Sequence, residues 1–108
     1  MNNLGFNIPA INGVNLRAFP VLDESMHPIF DKTDIVIGKP VEIEDIKDND
    51  IYIVVTANKA HIKYIKVNKY SLDLISANYL EFDPLHMPKS SVVSVFKVVR
   101  RIEVNSLA

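Results

Sequence analysis

Residues 51–76 read IYIVVTANKAHIKYIKVNKYSLDLIS, and no other stretch constrains the fold as strongly. Its runs are short, rich in Ile, Val and Tyr, and the last of them, YSLDLIS, alternates apolar and polar residues as a half-buried strand does. Asn58-Lys59 and Asn68-Lys69 separate the runs, and each pair is a two-residue turn candidate between antiparallel strands. The spacing predicts strands over 51–57, 60–67 and 70–76, joined as consecutive hairpins.

The remainder of the chain continues in the same manner. Leu16 to Leu22 reads as a strand, with Pro20 marking an edge or a bulge. Met26 to Phe30 suits one helical turn, with Ser25 as its N-cap. Asp34 to Pro40 is a further strand, and VEIEDIKDND is a polar connector with turn-forming Asp48-Asn49-Asp50. ANYLEFDPLHMPKS reads as a loop because of Pro84 and Pro88, and Ser91 to Val104 as a long β-branched last strand. About seven short strands with tight turns, no repeat and no helical periodicity indicate an all-β domain. With three glycines it should be compact and strongly twisted. Residues 1–15 are expected to be an arm or linker remnant, 16–104 the domain and 105–108 a tail.

At 108 residues the chain is the size of one small domain, and 48% hydrophobic with 23% charged residues is a globular composition. The net charge of −1 gives no general attraction to nucleic acid or anionic membranes. Lys97, Arg100 and Arg101 are interrupted by valines and read as a strand face rather than a phosphate site. Cysteine is absent, which removes disulfides and thiolate chemistry and suits a cytoplasmic protein. His27, His61 and His86 lack metal-ligand spacing, so no metal or other cofactor is expected. The apolar runs are too short to cross a bilayer, and MNNLGFNIPAING does not have the order of a signal peptide.

The unusual segment is VLDESMHPIF, which sets Ser25 in a tight bend after a strand. A serine hydroxyl keeps its proton at neutral pH and needs a base to become a nucleophile. His27 is too close in sequence to aim at Ser25, His86 sits among prolines, and His61 has no evident acid to orient it. A lysine serves if its surroundings disfavour the ammonium form, as apolar burial does. Lys63, in HIKYI, has Ile62, Tyr64 and Ile65 around it, whereas Lys59, Lys66 and Lys69 look solvated. On the residues alone Lys63 is either that base or a decoration of an open hairpin face.

The ordered set of Ser25-Met26-His27-Pro28, Asp34-Ile35-Val36-Ile37, Ile62-Lys63-Tyr64-Ile65 and Leu74-Ile75-Ser76-Ala77-Asn78 with Phe82 and Pro84 resembles the S24 peptidase domain. That domain is the C-terminal part of LexA-type and phage CI-type repressors and of the UmuD proteins. The resemblance spans Leu16 to Ile102 and implies a LexA-like β-clip fold with a serine–lysine dyad. It implies Ser25 as nucleophile, Lys63 as base, and the backbone amides of Glu24 and Ser25 as oxyanion donors. It also implies self-cleavage upstream of the domain, homodimers, and DNA contact only through an N-terminal domain absent from this chain.

The chain departs from the family pattern in three ways. Asp23 stands where the family has a glycine, Thr33 replaces a second glycine, and no Ala-Gly or Cys-Gly cleavage dipeptide precedes Ser25. Asn12-Gly13 is the one nearby bond of that kind, and it lies too close to the serine to fold back. Asp23 and Glu24 should oppose negative charge at the oxyanion position. The chain is thus read as a domain excised from a longer protein, a cleaved product or a diverged member. The competing function is a catalytically inactive dimerisation module on the same fold. Its pairing surface would be the last strand and the NYLEFDPLHMP loop. Apolar residues on both faces of that strand fit either a partner on one face or burial on both. A type I signal peptidase shares the Ser-Met and Lys motifs but normally needs a membrane anchor.

Overall fold

The computed structural model describes residues 4–11 and 14–104. Asn12-Gly13 and residues 105–108 lie outside the described residues. The all-β expectation holds: the described residues form eight strands in one antiparallel sheet. These are β1 (Phe6–Ile11), β2 (Val14–Pro20), β3 (Ile35–Val41), β4 (Ile51–Val55), β5 (Ala60–Val67), β6 (Ser71–Ile75), β7 (Leu85–Pro88) and β8 (Ser94–Ile102), in spatial order β1-β2-β3-β8-β4-β5-β6-β7. Among the described residues, assigned helix is confined to single turns of 3-10 helix at Ile43–Asp45 and Lys89–Ser91. No helix among the described residues is long and apolar enough to cross a membrane.

Two strands fall in stretches without a strand signal. β1 lies in the stretch read as an arm, and β7 in the stretch read as a loop. Both are edge strands carrying proline, Pro9 in β1 and Pro88 in β7. A proline is tolerated there because an edge strand needs only part of its ladder.

Both hairpin turns lie one residue from their expected places. Val55 pairs with Ala60, so Ala57-Asn58 forms the first turn, and Val67 pairs with Leu72, so Lys69-Tyr70 forms the second. The expected and observed registers differ by two residues, which keeps every side chain on its own face, so hydrophobic alternation cannot tell them apart. Local polar bonds favour the observed closures. Thr56 donates its N–H (2.9 Å) and its hydroxyl (3.2 Å) to the Lys59 carbonyl. Asn68 donates its N–H to the Ser71 carbonyl (2.9 Å) and its amide to Ser71 Oγ (3.2 Å).

β4 and the first half of β8 lie at the centre and are covered on both faces. Ile53, Val55 and Phe96 join Phe19, Val36, Met26, Phe30 and Ile62 in one cluster. Tyr52, Val54 and Val95 join Ile65, Leu72, Leu74 and Met87 in the other. The two-sided alternative for the last strand therefore describes its start. Its end is different: beyond a bulge at Val99, β8 pairs only with β3, and Val99 and Ile102 are exposed. Gly38 lies beside that bulge because the packing leaves no room for a side chain. A Cβ there would fall 2.7 Å from Phe96 Cβ and 2.8 Å from Ile53 Cδ1.

Candidate active site

Between β2 and β3 the chain makes the tight loop that the SMHP segment foretold. Its base is closed by Val21 N–H to the Asp34 carbonyl (2.9 Å) and Asp31 N–H to the buried Asp34 carboxylate (2.9 Å). Met26 and Phe30 anchor it in the core, and Phe30 N–H donates to the Met26 carbonyl (2.9 Å), making the expected single helical turn. Ser25 does not cap that turn with its side chain. Its buried hydroxyl accepts instead from Lys63 Nζ on β5, at 2.5 Å.

A second segment holds this loop from outside. After β6, the Ala77 N–H donates to Met26 Sδ (3.4 Å), the Asn78 N–H to the Ser25 carbonyl (2.9 Å), and the Asn78 amide to the Glu24 carbonyl (3.2 Å). Arg101 on β8 adds a bond from Nη1 to the Ile29 carbonyl (2.8 Å) and pairs with Glu103. Sequence reasoning placed Asn78 in a motif without a role, and read Arg101 only as a strand-face charge. The signal for Asn78 was its residue type, which offers a backbone and a side-chain donor one residue apart in space. Arg101 had no local signal, since its partner lies in a distant loop.

Ser25 and Lys63 line a cleft of about 180 Å³ with Leu22, Asp23, Lys59 and His61. Burial pushes the Lys63 ammonium toward its neutral form, and Lys59 adds to this, while the Asp23 carboxylate opposes both; its pKa ends below the ordinary lysine value. His61 is half-buried, and burial together with the charges of Lys59 and Lys63 lowers its pKa from 6.5 to about 4. It is therefore a neutral imidazole at neutral pH. The other two histidines are exposed elsewhere, His27 at 3.5 Å from Asp31 and His86 at 2.6 Å from Asp73.

Asp23 engages the backbone of Ser25 directly. Its Oδ1 accepts the Ser25 backbone N–H at 2.9 Å. Burial raises its pKa, but the hydrogen bonds from the Ser25 side chain and backbone, with the charges of Lys63 and Lys59, outweigh that and hold it below the usual carboxylate value. The Glu24 side chain is exposed, and its carbonyl also accepts the His27 N–H (3.1 Å). Chemically, the cleft presents a buried hydroxyl, a partly desolvated amine in contact with it, and a carboxylate on the adjoining amide.

The family model described as Peptidase S24-like matches residues 6–100. A search of curated proteins finds no match.

Proposed function

This chain belongs to the S24-like peptidase family, and from that premise we propose that it is a serine–lysine self-peptidase and pairing domain. The observation that carries the reading is the 2.5 Å contact between Lys63 Nζ and Ser25 Oγ, with burial lowering the lysine pKa. In the neutral form Lys63 takes the Ser25 proton as Oγ attacks the carbonyl carbon of a peptide bond. The carbonyl oxygen becomes an oxyanion facing the Glu24 and Ser25 amides. Lys63 then returns the proton to the leaving nitrogen, the upstream fragment stays as an ester on Ser25, and water releases it.

Within a larger protein, the domain serves as the C-terminal regulatory part of a LexA/CI-like transcriptional repressor, with DNA bound by a separate domain. It pairs with a second copy of itself. Exposed Tyr79 and Leu80, and exposed Val93 and Val99 on and beside β8, are apolar surface suited to that role. A second reading, an idle pairing module, is favoured by one observation: Asp23 already takes the Ser25 N–H.

The test is the full-length protein incubated at pH 7 and at about pH 10 and read by intact mass, with Ser25→Ala and Lys63→Ala alongside. A single cut that strengthens at high pH and disappears in both variants supports the peptidase. An uncut chain that still dimerises supports the idle module.

A further inference from the structure

We propose that Asp23 restrains this site: its carboxylate holds the backbone donor that an attacked carbonyl needs, so a bound peptide must displace it before Ser25 can react. The inference rests on the serine–lysine reading above and deepens it by assigning a role to a residue outside the dyad.

One N–H serves one acceptor well, and the Ser25 N–H already meets Asp23 Oδ1 at 2.9 Å. A tetrahedral intermediate would place a negative oxygen against that same N–H. Asp23 thus stands where the oxyanion would form and carries the same charge. An incoming carbonyl has to break the bond, and the charge of the displaced carboxylate still opposes the oxyanion nearby.

Asp23 acts on the base as well. Its negative charge favours the ammonium form of Lys63, against the burial that favours the amine. The other groups that bear on it are Lys59, whose charge favours the carboxylate, and His61, which is uncharged near neutral pH. At rest an anionic Asp23 thus holds the Ser25 N–H while its charge favours the protonated form of the lysine that contacts the Ser25 hydroxyl. Both effects act in one direction, toward low reactivity, and they separate by substitution. Asp23→Gly removes the acceptor and the charge, whereas Asp23→Asn keeps an acceptor oxygen and removes only the charge.

The probe is a fluorophosphonate, which reacts as the proposed substrate does: Oγ bonds to phosphorus, fluoride leaves, and Lys63 takes the hydroxyl proton. The phosphoryl oxygen needs the same backbone donor. The rate of mass gain is followed from pH 6 to about pH 10 in the full chain, in both Asp23 variants, and in Ser25→Ala and Lys63→Ala. We expect Asp23→Gly to label about tenfold faster at its plateau, the scale of one net hydrogen bond, with its alkaline rise also moved to lower pH. Asp23→Asn should reach nearly the native plateau but with its alkaline rise moved to lower pH, because Lys63 then loses its proton more easily. If labelling depends on Ser25 and Lys63 yet neither Asp23 variant is faster or shifted, the restraint is refuted and the dyad stands. A variant that melts earlier with an unmoved pH profile gives Asp23 a structural role only and also refutes it. No Ser25-dependent labelling in any protein removes the serine–lysine reading, and the restraint with it.

Discussion

Asn78 holds Ser25 from a different part of the chain, giving its backbone N–H to the Ser25 carbonyl at 2.9 Å and its side-chain amide to the neighbouring Glu24 carbonyl at 3.2 Å. The serine loop is therefore braced by a segment that follows β6, while its hydroxyl meets a lysine on β5. Strand β5 and strand β6 are adjacent in one hairpin. One hairpin and the segment that follows it thus supply both the partner of the hydroxyl and the brace of the backbone that carries it.

Removing that brace should loosen the loop more than the fold. Asn78→Ala loses one hydrogen bond near the surface and keeps its backbone bond, so urea unfolding should show a loss of about 0.5–1.5 kcal/mol. The rate of Ser25 modification should fall by a larger factor than that loss explains, since attack geometry is sensitive to small displacements. An unchanged Ser25 rate would remove the bracing role.

The acid side of the stability curve should belong to His61. Its pKa is lowered from 6.5 to about 4 by burial and by Lys59 and Lys63, so the unfolded chain binds the extra proton between those values. Stability is then full above about pH 6.5 and falls as pH drops toward 4, by about 1–2 kcal/mol after allowing for water at this half-exposed ring. Asp23 and Asp73, both lowered below 3.8, contribute their losses only at still lower pH. His61→Gln should flatten the curve between pH 4 and 6.5 in thermal unfolding followed by circular dichroism.

Gly38 should resist substitution for reasons of space alone. Alanine there meets Phe96 Cβ and Ile53 Cδ1 well inside contact distance, in the middle of the cluster that backs the serine loop. Overpacking of this kind costs about 1–3 kcal/mol. Gly38→Ala should lower the urea midpoint accordingly, and a neutral result would mean that the β3–β8 bulge yields freely.

The sequence carried the fold class and the order of motifs because both are written in local patterns. Alternation and turn residues located β4, β5 and β6, and SMHP located the serine loop. What alternation could not fix was register, since a two-residue shift keeps every face, and the Thr56 and Asn68 bonds decide it. β1 and β7 were hidden because each pairs on one side only and carries proline. Lys63 stood out by its apolar neighbours, but its contact with Ser25 comes from the packing of β5 against a distant loop. For Asp23 the charge was legible and its hydrogen bond was not, because an Asx-type closure depends on the exact bend the loop adopts.

The most direct test compares two pH midpoints: the loss of the Lys63 proton, followed by NMR at its labelled Nζ, and the rise in Ser25 modification by a fluorophosphonate. Lys63 should titrate below the ordinary lysine value, and the two midpoints should coincide. Modification should also collapse in Lys63→Ala. A Lys63 that titrates at the ordinary lysine value, beside a Ser25 rate indifferent to its replacement, would contradict the dyad.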